Sequence, residues 1–263
     1  VIEKLDTAVS GSAISSLQAP NLDLNGTINV IGGELAIDPL LFDTFDEQSQ
    51  TSITLAEGVA TFGDSSVLTG GGNGVRLFGG RHVFTPGAAA SGTLIADARV
   101  LEIQDDAATT PAEGLTVEVF ESGSGLDVRG DGNLTILNTA TLSGSMSGTG
   151  QTIIGTGAQA TVNSFLRLEG DRVLLTDGTL DFLSEFDGIE LQDSAQLQIG
   201  STGTLRLDGS QRIDTFIPSG TNGDPINPNT RIVNDGVIEK LDTAVSGSAF
   251  SSLQASNLDL NGT

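Results

Sequence analysis

The chain has 263 residues and carries 34 Asp+Glu against 11 Lys+Arg, a formal charge of −23, with no Cys, Trp or Tyr, one His and 35 Gly. The missing Cys exclude a disulfide framework, thiolate-held metals and a Cys nucleophile; a single His excludes a multi-histidine centre, and so negative a charge argues against nucleic acid as a partner. No run approaches the ~18–20 apolar residues of a transmembrane segment, and no basic stretch leads into an apolar one as a signal peptide would.

The first element is a repeat. Residues 1–27, VIEKLDTAVSGSAISSLQAPNLDLNGT, return as residues 237–263 with two differences, Ile14 against Phe250 and Pro20 against Ser256. The offset is 237 − 1 = 236, so residues 1–236 read as one full tandem-repeat period and 237–263 as the start of the next copy. Ile against Phe keeps an apolar position; Pro against Ser marks a turn or an edge, because proline cannot donate to a central ladder.

A shorter pattern recurs along the period. Leu22-Asp-Leu24 is followed after Gly26 by Ile28-Asn-Val30, and Val75-Arg-Leu77 after Gly79 by Val83. Leu126-Asp-Val128, Leu166-Arg-Leu168 and Leu197-Gln-Ile199 are each followed, past a glycine, by a second alternating run. Each unit is two period-2 strands joined at Gly. Such a pair forms either a hairpin or successive sides of a solenoid coil, and the recurrence of short strands with almost no helical periodicity favours the coil. Three stretches interrupt the pattern. Residues 38–50 read as a short helix with Asp38 as N-cap and Pro39 at its first position. Residues 86–98 read as a loop or a tight coil of small residues. Residues 214–230, with three of the seven prolines, read as a long loop, either lateral on a continuous solenoid or an interdomain linker. The fold class expected is all-β, a parallel right-handed β-helix (β-solenoid) with irregular coils and a few lateral loops.

Phrases such as NLDLNGTINVIGGELAI, GTLDFL, STGTLRLDG and NDGVIEKL resemble the repetitive surface proteins of bacteria, the filamentous-haemagglutinin-like and autotransporter-like adhesins built on pectin-lyase-type right-handed β-helices. That resemblance covers most of the chain in style. It implies an extracellular, elongated, load-bearing or adhesive module.

Residues 237–263 carry Glu239, Asp242 and Asp259 against Lys240, a net of −2, which leaves −21 for the period. At roughly 10 coils spaced about 4.8 Å apart, one negative charge falls about every 2.4 Å. Neighbouring fibres would then repel within a Debye length of about 8 Å at physiological salt, and divalent cations would bridge them. Lateral self-association of this kind, beside end-to-end pairing with further copies of the repeat, makes calcium the one cofactor to consider.

Candidate site residues are few. His82 reads as a strand residue facing solvent or capped by a neighbour rather than a general base. For metal, the candidates are Asp105 and Asp106, which can act together only in a turn, and Glu185 and Asp187, which share one side if extended, with Asp181 nearby. No residue stands out as catalytic. A β-helical polysaccharide lyase or hydrolase, the enzyme alternative, would need a groove of convergent carboxylates. A repeated β-sandwich adhesin would need antiparallel pairing. Arg129-Gly130-Asp131 matches an integrin-recognised tripeptide by composition alone. Asn25-Gly-Thr27 and Asn133-Leu-Thr135 match the N-glycosylation pattern, which matters only in a eukaryotic secretory route. The 11 Phe are expected to stack inside the solenoid.

Overall fold

A computed structural model of the chain describes the strand segments 2–4, 14–17, 22–24, 28–30, 34–37, 51–54, 59–62 and 67–70, and residues 75–105, 114–182, 188–208, 212–215, 229–241 and 251–263. The helix expected within 38–50 lies outside these residues, as does 216–228 of the expected loop. Among the described residues every regular element is a strand. The strands pair in parallel with partners a coil away along the chain, and the fold is an all-β parallel β-solenoid. The glycine-joined strand pairs are therefore successive sides of coils rather than hairpins, and the antiparallel sandwich is ruled out as the fold.

Contacts divide the chain into two compact units, Val1–Leu134 and Thr135–Thr263. In Thr135–Thr263 the strands form three stacks. The first holds Gln151–Ile154, Val173–Thr176, Gln196–Ile199, Arg231–Asn234 and Asn257–Leu260. The second holds residues 159–162, Thr179–Phe182, Thr204–Asp208 and Val237–Leu241. The third holds residues 166–168, Gly188–Leu191, Arg212–Thr215 and Ser252–Leu253. The chain visits the stacks in turn. Leu174, Leu197, Ile232 and Leu258 are successive partners in the first stack, at steps of 23, 35 and 26 residues, so coil length varies as the irregular sequence spacing implies.

Val1–Leu134 follows the same plan. Leu22–Leu24, Val59–Phe62, Arg81–Phe84, Val100–Ile103 and Asp127–Arg129 make one stack. Ile2–Lys4, Ile28–Val30, Val67–Gly70 and residues 89–91 make a second. Ile14–Leu17, Glu34–Ile37, Thr51–Thr54, Val75–Phe78 and residues 94–97 make a third. The Ala-rich stretch 86–98 takes the tight-coil form: Ala89–Asp97 is a strand, and Ala88, Ala90, Ala96 and Ala98 are buried.

Alternation aims every second residue inward, and the parallel register stacks like positions. Phe62, Phe84 and Ile103 form one buried row, with the two rings offset-stacked at 4.5 Å. Leu174, Leu197 and Ile232 form another. Each fully buried aliphatic side chain contributes about 2 kcal/mol of transfer free energy.

Corners between strands are four-residue turns closed by an N–H to C=O bond three residues back: Ala88 to Thr85 (3.3 Å), Leu126 to Gly123 (3.1 Å), Ala158 to Gly155 (2.9 Å) and Ala195 to Gln192 (3.0 Å). The closing residue is buried and small or apolar in each of these. Another corner recurs as a column of glycines at residues 178, 203, 236 and 262, where the backbone comes so close to the preceding coil that no side chain fits. A Cβ on Gly236 would overlap the carbonyl oxygens of Gly200 and Gly203, and one on Gly262 the carbonyl of Gly236.

Candidate functional site

The outer rows carry the charges. Because each coil lies directly over the last, an arginine on one coil meets acids one coil away. Glu102 takes both arms of Arg81 (Nε to Oε2 3.0 Å, Nη2 to Oε1 2.5 Å), then Arg129 Nε at 3.1 Å and Gln104 Nε2 at 3.2 Å. Burial works against the charged form, but the hydrogen bonds from Arg81, Gln104 and Arg129 outweigh it and hold the carboxyl below its ordinary range. In Thr135–Thr263, Asp181, Arg206 and Glu239 are direct register partners; Arg206 Nε donates to Glu239 at 3.0 Å and Nη1 stands 3.8 Å from Asp181. Arg167 faces Glu190, and Arg231 bonds Asp259 at 3.0 Å. These rungs clamp adjacent coils and are part of the scaffold.

Several sequence expectations change. His82 does not face solvent. It is fully buried, in register between Ala60 and Leu101, with its ring 6.3 Å from and nearly parallel to that of Phe62. Burial lowers its pKa to about 4, opposed only in part by the carbonyls of Phe78 and Gly79, and neither ring nitrogen makes a hydrogen bond of good geometry. It is a neutral core residue. Both parities of Arg81-His82-Val83-Phe84 carry an apolar residue, so alternation alone does not tell which way the imidazole turns.

Asp181 is nearly buried and committed to Gln159 Nε2 at 2.6 Å. Asp105 meets Asp131 of the next coil, its N–H donating to Oδ1 at 3.0 Å. Asp106, Glu185 and Asp187 lie outside the described residues. Among the described residues no three acidic or histidine side chains converge as a metal group. Within Arg129-Gly130-Asp131, Arg129 is spent on Glu102 and Gly130 turns at φ 114° against Ile103. Asn133 is buried in a strand and inaccessible to a glycosyl donor. Phe62 and Phe84 do stack inside and Phe120 and Phe182 are buried among aliphatic neighbours, but Phe78 and Phe165 are about half exposed, each under an arginine at 6.0 and 5.5 Å.

One feature went unread in the sequence. Arg172 occupies the closing position of the 169–172 turn, where other corners place Ala, Leu or Gly, and is fully buried. Its guanidinium donates to Thr152 Oγ1 at 2.9 Å and Gln151 O at 3.2 Å. The acidic turn Glu169-Gly-Asp171 before it gives the residue a polar look that conceals its corner role.

The repeated segment supplies the most informative surface. Residues 1–27 form strands Ile2–Lys4, Ile14–Leu17 and Leu22–Leu24; residues 237–263 form Val237–Leu241, Ser252–Leu253 and Asn257–Leu260 at the equivalent positions. The first copy pairs with the coil that follows it, Ile2 on Ile28, Ser16 on Ala36 and Leu22 on Ala60. The second pairs with the coil that precedes it, Thr204 on Val237, Arg212 on Ser252 and Arg231 on Asn257. Leu258 and Leu260, in line with buried Ile232 and Asn234, are 47% and 54% exposed. Lys240 continues the row of Phe182 and Leu207 and bonds Leu241 O at 2.7 Å. Ser256, the counterpart of Pro20, lies between strands and bonds Thr230, as the Pro-to-Ser exchange implies; Phe250 lies outside the described residues.

Comparison with family models, with curated proteins and with solved structures returns no match to this chain.

Proposed function

We propose that the chain is a structural and adhesive repeat module of a long extracellular bacterial surface fibre, its copies joined end to end. The observation that carries this reading is the two-sided role of one 27-residue segment. The same residues make the same three strands in both copies, paired forward in one and backward in the other. A coil with a partner sequence defined on both faces suits a solenoid that runs through the repeat boundary. The resemblance of its phrases to bacterial β-helical adhesins supports the surface location, and the rows of inter-coil ion pairs suit a load-bearing role. Near-identical tandem copies favour reach and avidity over catalysis. Electron microscopy of the native protein tests the reading: a continuous rod that lengthens with each repeat is expected, and separate beads at the 236-residue period would overturn it.

A further inference from the structure

We propose that the outer face of the first stack in Thr135–Thr263 is a lateral docking surface, and that its occupant is the same face of a second copy of this chain. The claim stands apart from the end-to-end reading, since it concerns the flank of the solenoid.

Thr152, Leu174, Leu197 and Ile232 are buried inside this stack, so alternation turns the residues on either side of each outward. The outward positions form two rows in register. One runs Gln151, Val173, Gln196, Arg231; the other runs Ile153, Leu175, Gln198, Val233. Four of these eight are aliphatic. Val173 is nearly buried among its neighbours, and Ile153, Leu175 and Val233 are half-buried. The second stack sets the contrast. Its outward positions hold Gln159, Thr161, Thr179, Asp181, Thr204 and Arg206, with no aliphatic residue. Single apolar residues on a surface need no explanation, but a contiguous set on one flank marks an interaction surface.

Charge names the occupant. The chain carries a formal charge of −23. A second copy meeting it through the second or third stack brings carboxylates together, Asp181 and Glu239 on the one, Glu190 on the other. The two rows of the first stack hold no acid from Gln151 to Val233, and the next register position, Asp259, is neutralised by Arg231 at 3.0 Å. Of the three flanks it is the one on which two such polyanions approach without repulsion. Pitch supplies the fit. Strands about 4.8 Å apart give both copies the same row spacing, so side chains of one face settle between the rungs of the other. Gln198 Nε2 donates to Gln196 Oε1 at 3.0 Å, which leaves Gln196 Nε2 as donor and Gln198 Oε1 as acceptor for the same pair on a copy related by a two-fold axis. Four strands with two outward positions each make a patch of roughly 200–300 Å², against ~800 Å² per partner for a standard interface. Single chains therefore pair weakly and reversibly.

Sedimentation equilibrium of the whole chain over a concentration series tests this, in EDTA and at ~1 M salt, where repulsion between the remaining surfaces is screened. The wild type is expected to pass from monomer to dimer and stop there, because a two-fold contact closes on itself whereas end-to-end growth does not. Leu175→Glu and Gln198→Glu each set like charges against each other across the contact, and each is expected to raise the dissociation constant at least about tenfold. Thr161→Glu, on the second stack, is expected to leave it unchanged. Where Leu175→Glu loses the far-ultraviolet signature of the fold, Gln198→Glu, nearly isosteric and outward, decides alone. A wild type that stays monomeric, association that needs calcium, growth beyond a dimer, or equal weakening by Thr161→Glu would each overturn the proposal. None of these bears on whether tandem copies form a continuous rod.

Discussion

At the scale of single residues, close approach and burial dominate. Gly236 needs no unusual φ; it is glycine because the preceding coil leaves no room for a Cβ. Gly236→Ala is expected to lower the unfolding free energy by about 1–3 kcal/mol, an overpacking cost. Gly125→Ala, where a Cβ meets nothing within 4 Å, should stay within about 0.5 kcal/mol by denaturant titration. His82 gives a pH dependence of defined sign. The unfolded chain takes up a proton near the ordinary histidine pKa of 6.5, whereas the folded chain resists until about 4. Stability therefore falls as pH drops through this window, by up to ~3 kcal/mol, and levels off for this group below it. His82→Leu should remove that part of the slope in urea titrations at pH 7 and 4.5. Glu102→Gln should cost about 1–3 kcal/mol at neutral pH by taking the charge from two arginine contacts. The wild-type advantage should shrink as pH falls below the ordinary carboxyl range, since the folded carboxyl is held ionised longest.

At the scale of elements, the strands were legible and their partners were not. Alternation around Leu166-Arg-Leu168 and Leu197-Gln-Ile199 places strands where the structure has them, because half-buried strands need one apolar face. Nothing in one strand's pattern says that Arg206 stands over Asp181 and under Glu239, for that depends on the lengths of coils the chain traverses in between. Nor does local pattern reveal Arg172 as a corner residue, since the turn that places it is closed by backbone bonds. The corner at Thr230 gives an element-level prediction. Ser256 N–H and hydroxyl both engage Thr230 Oγ1, yet the first copy has Pro20 there. Ser256→Pro should cost about 1–3 kcal/mol, two hydrogen bonds, without abolishing folding; loss of the cooperative thermal transition would show that the two copies tolerate different corners.

At the scale of the whole molecule, the period was legible from identity alone, and the candidate surface emerged only when strand pairing showed each copy from its opposite side. The charge of −23 belongs to this scale as well. Arg76, Arg81, Arg167, Arg206 and Arg231 are each engaged by an acid of a neighbouring coil, which leaves the acidic excess without cationic partners among these rungs. Light scattering of the protein should rise with ~1 M salt, where the Debye length contracts to about 3 Å, and with millimolar calcium reversed by EDTA; indifference to both would remove lateral bridging. The steps between stacked strands carry a last consequence. Each coil touches only the one before and the one after, so the addition or loss of one whole period, joined anywhere within the shared 27 residues, leaves every strand with neighbours it already has. On the proposed fibre reading, length becomes a heritable variable decoupled from folding: recombination between copies lengthens or shortens the molecule without any coil meeting an unfamiliar surface.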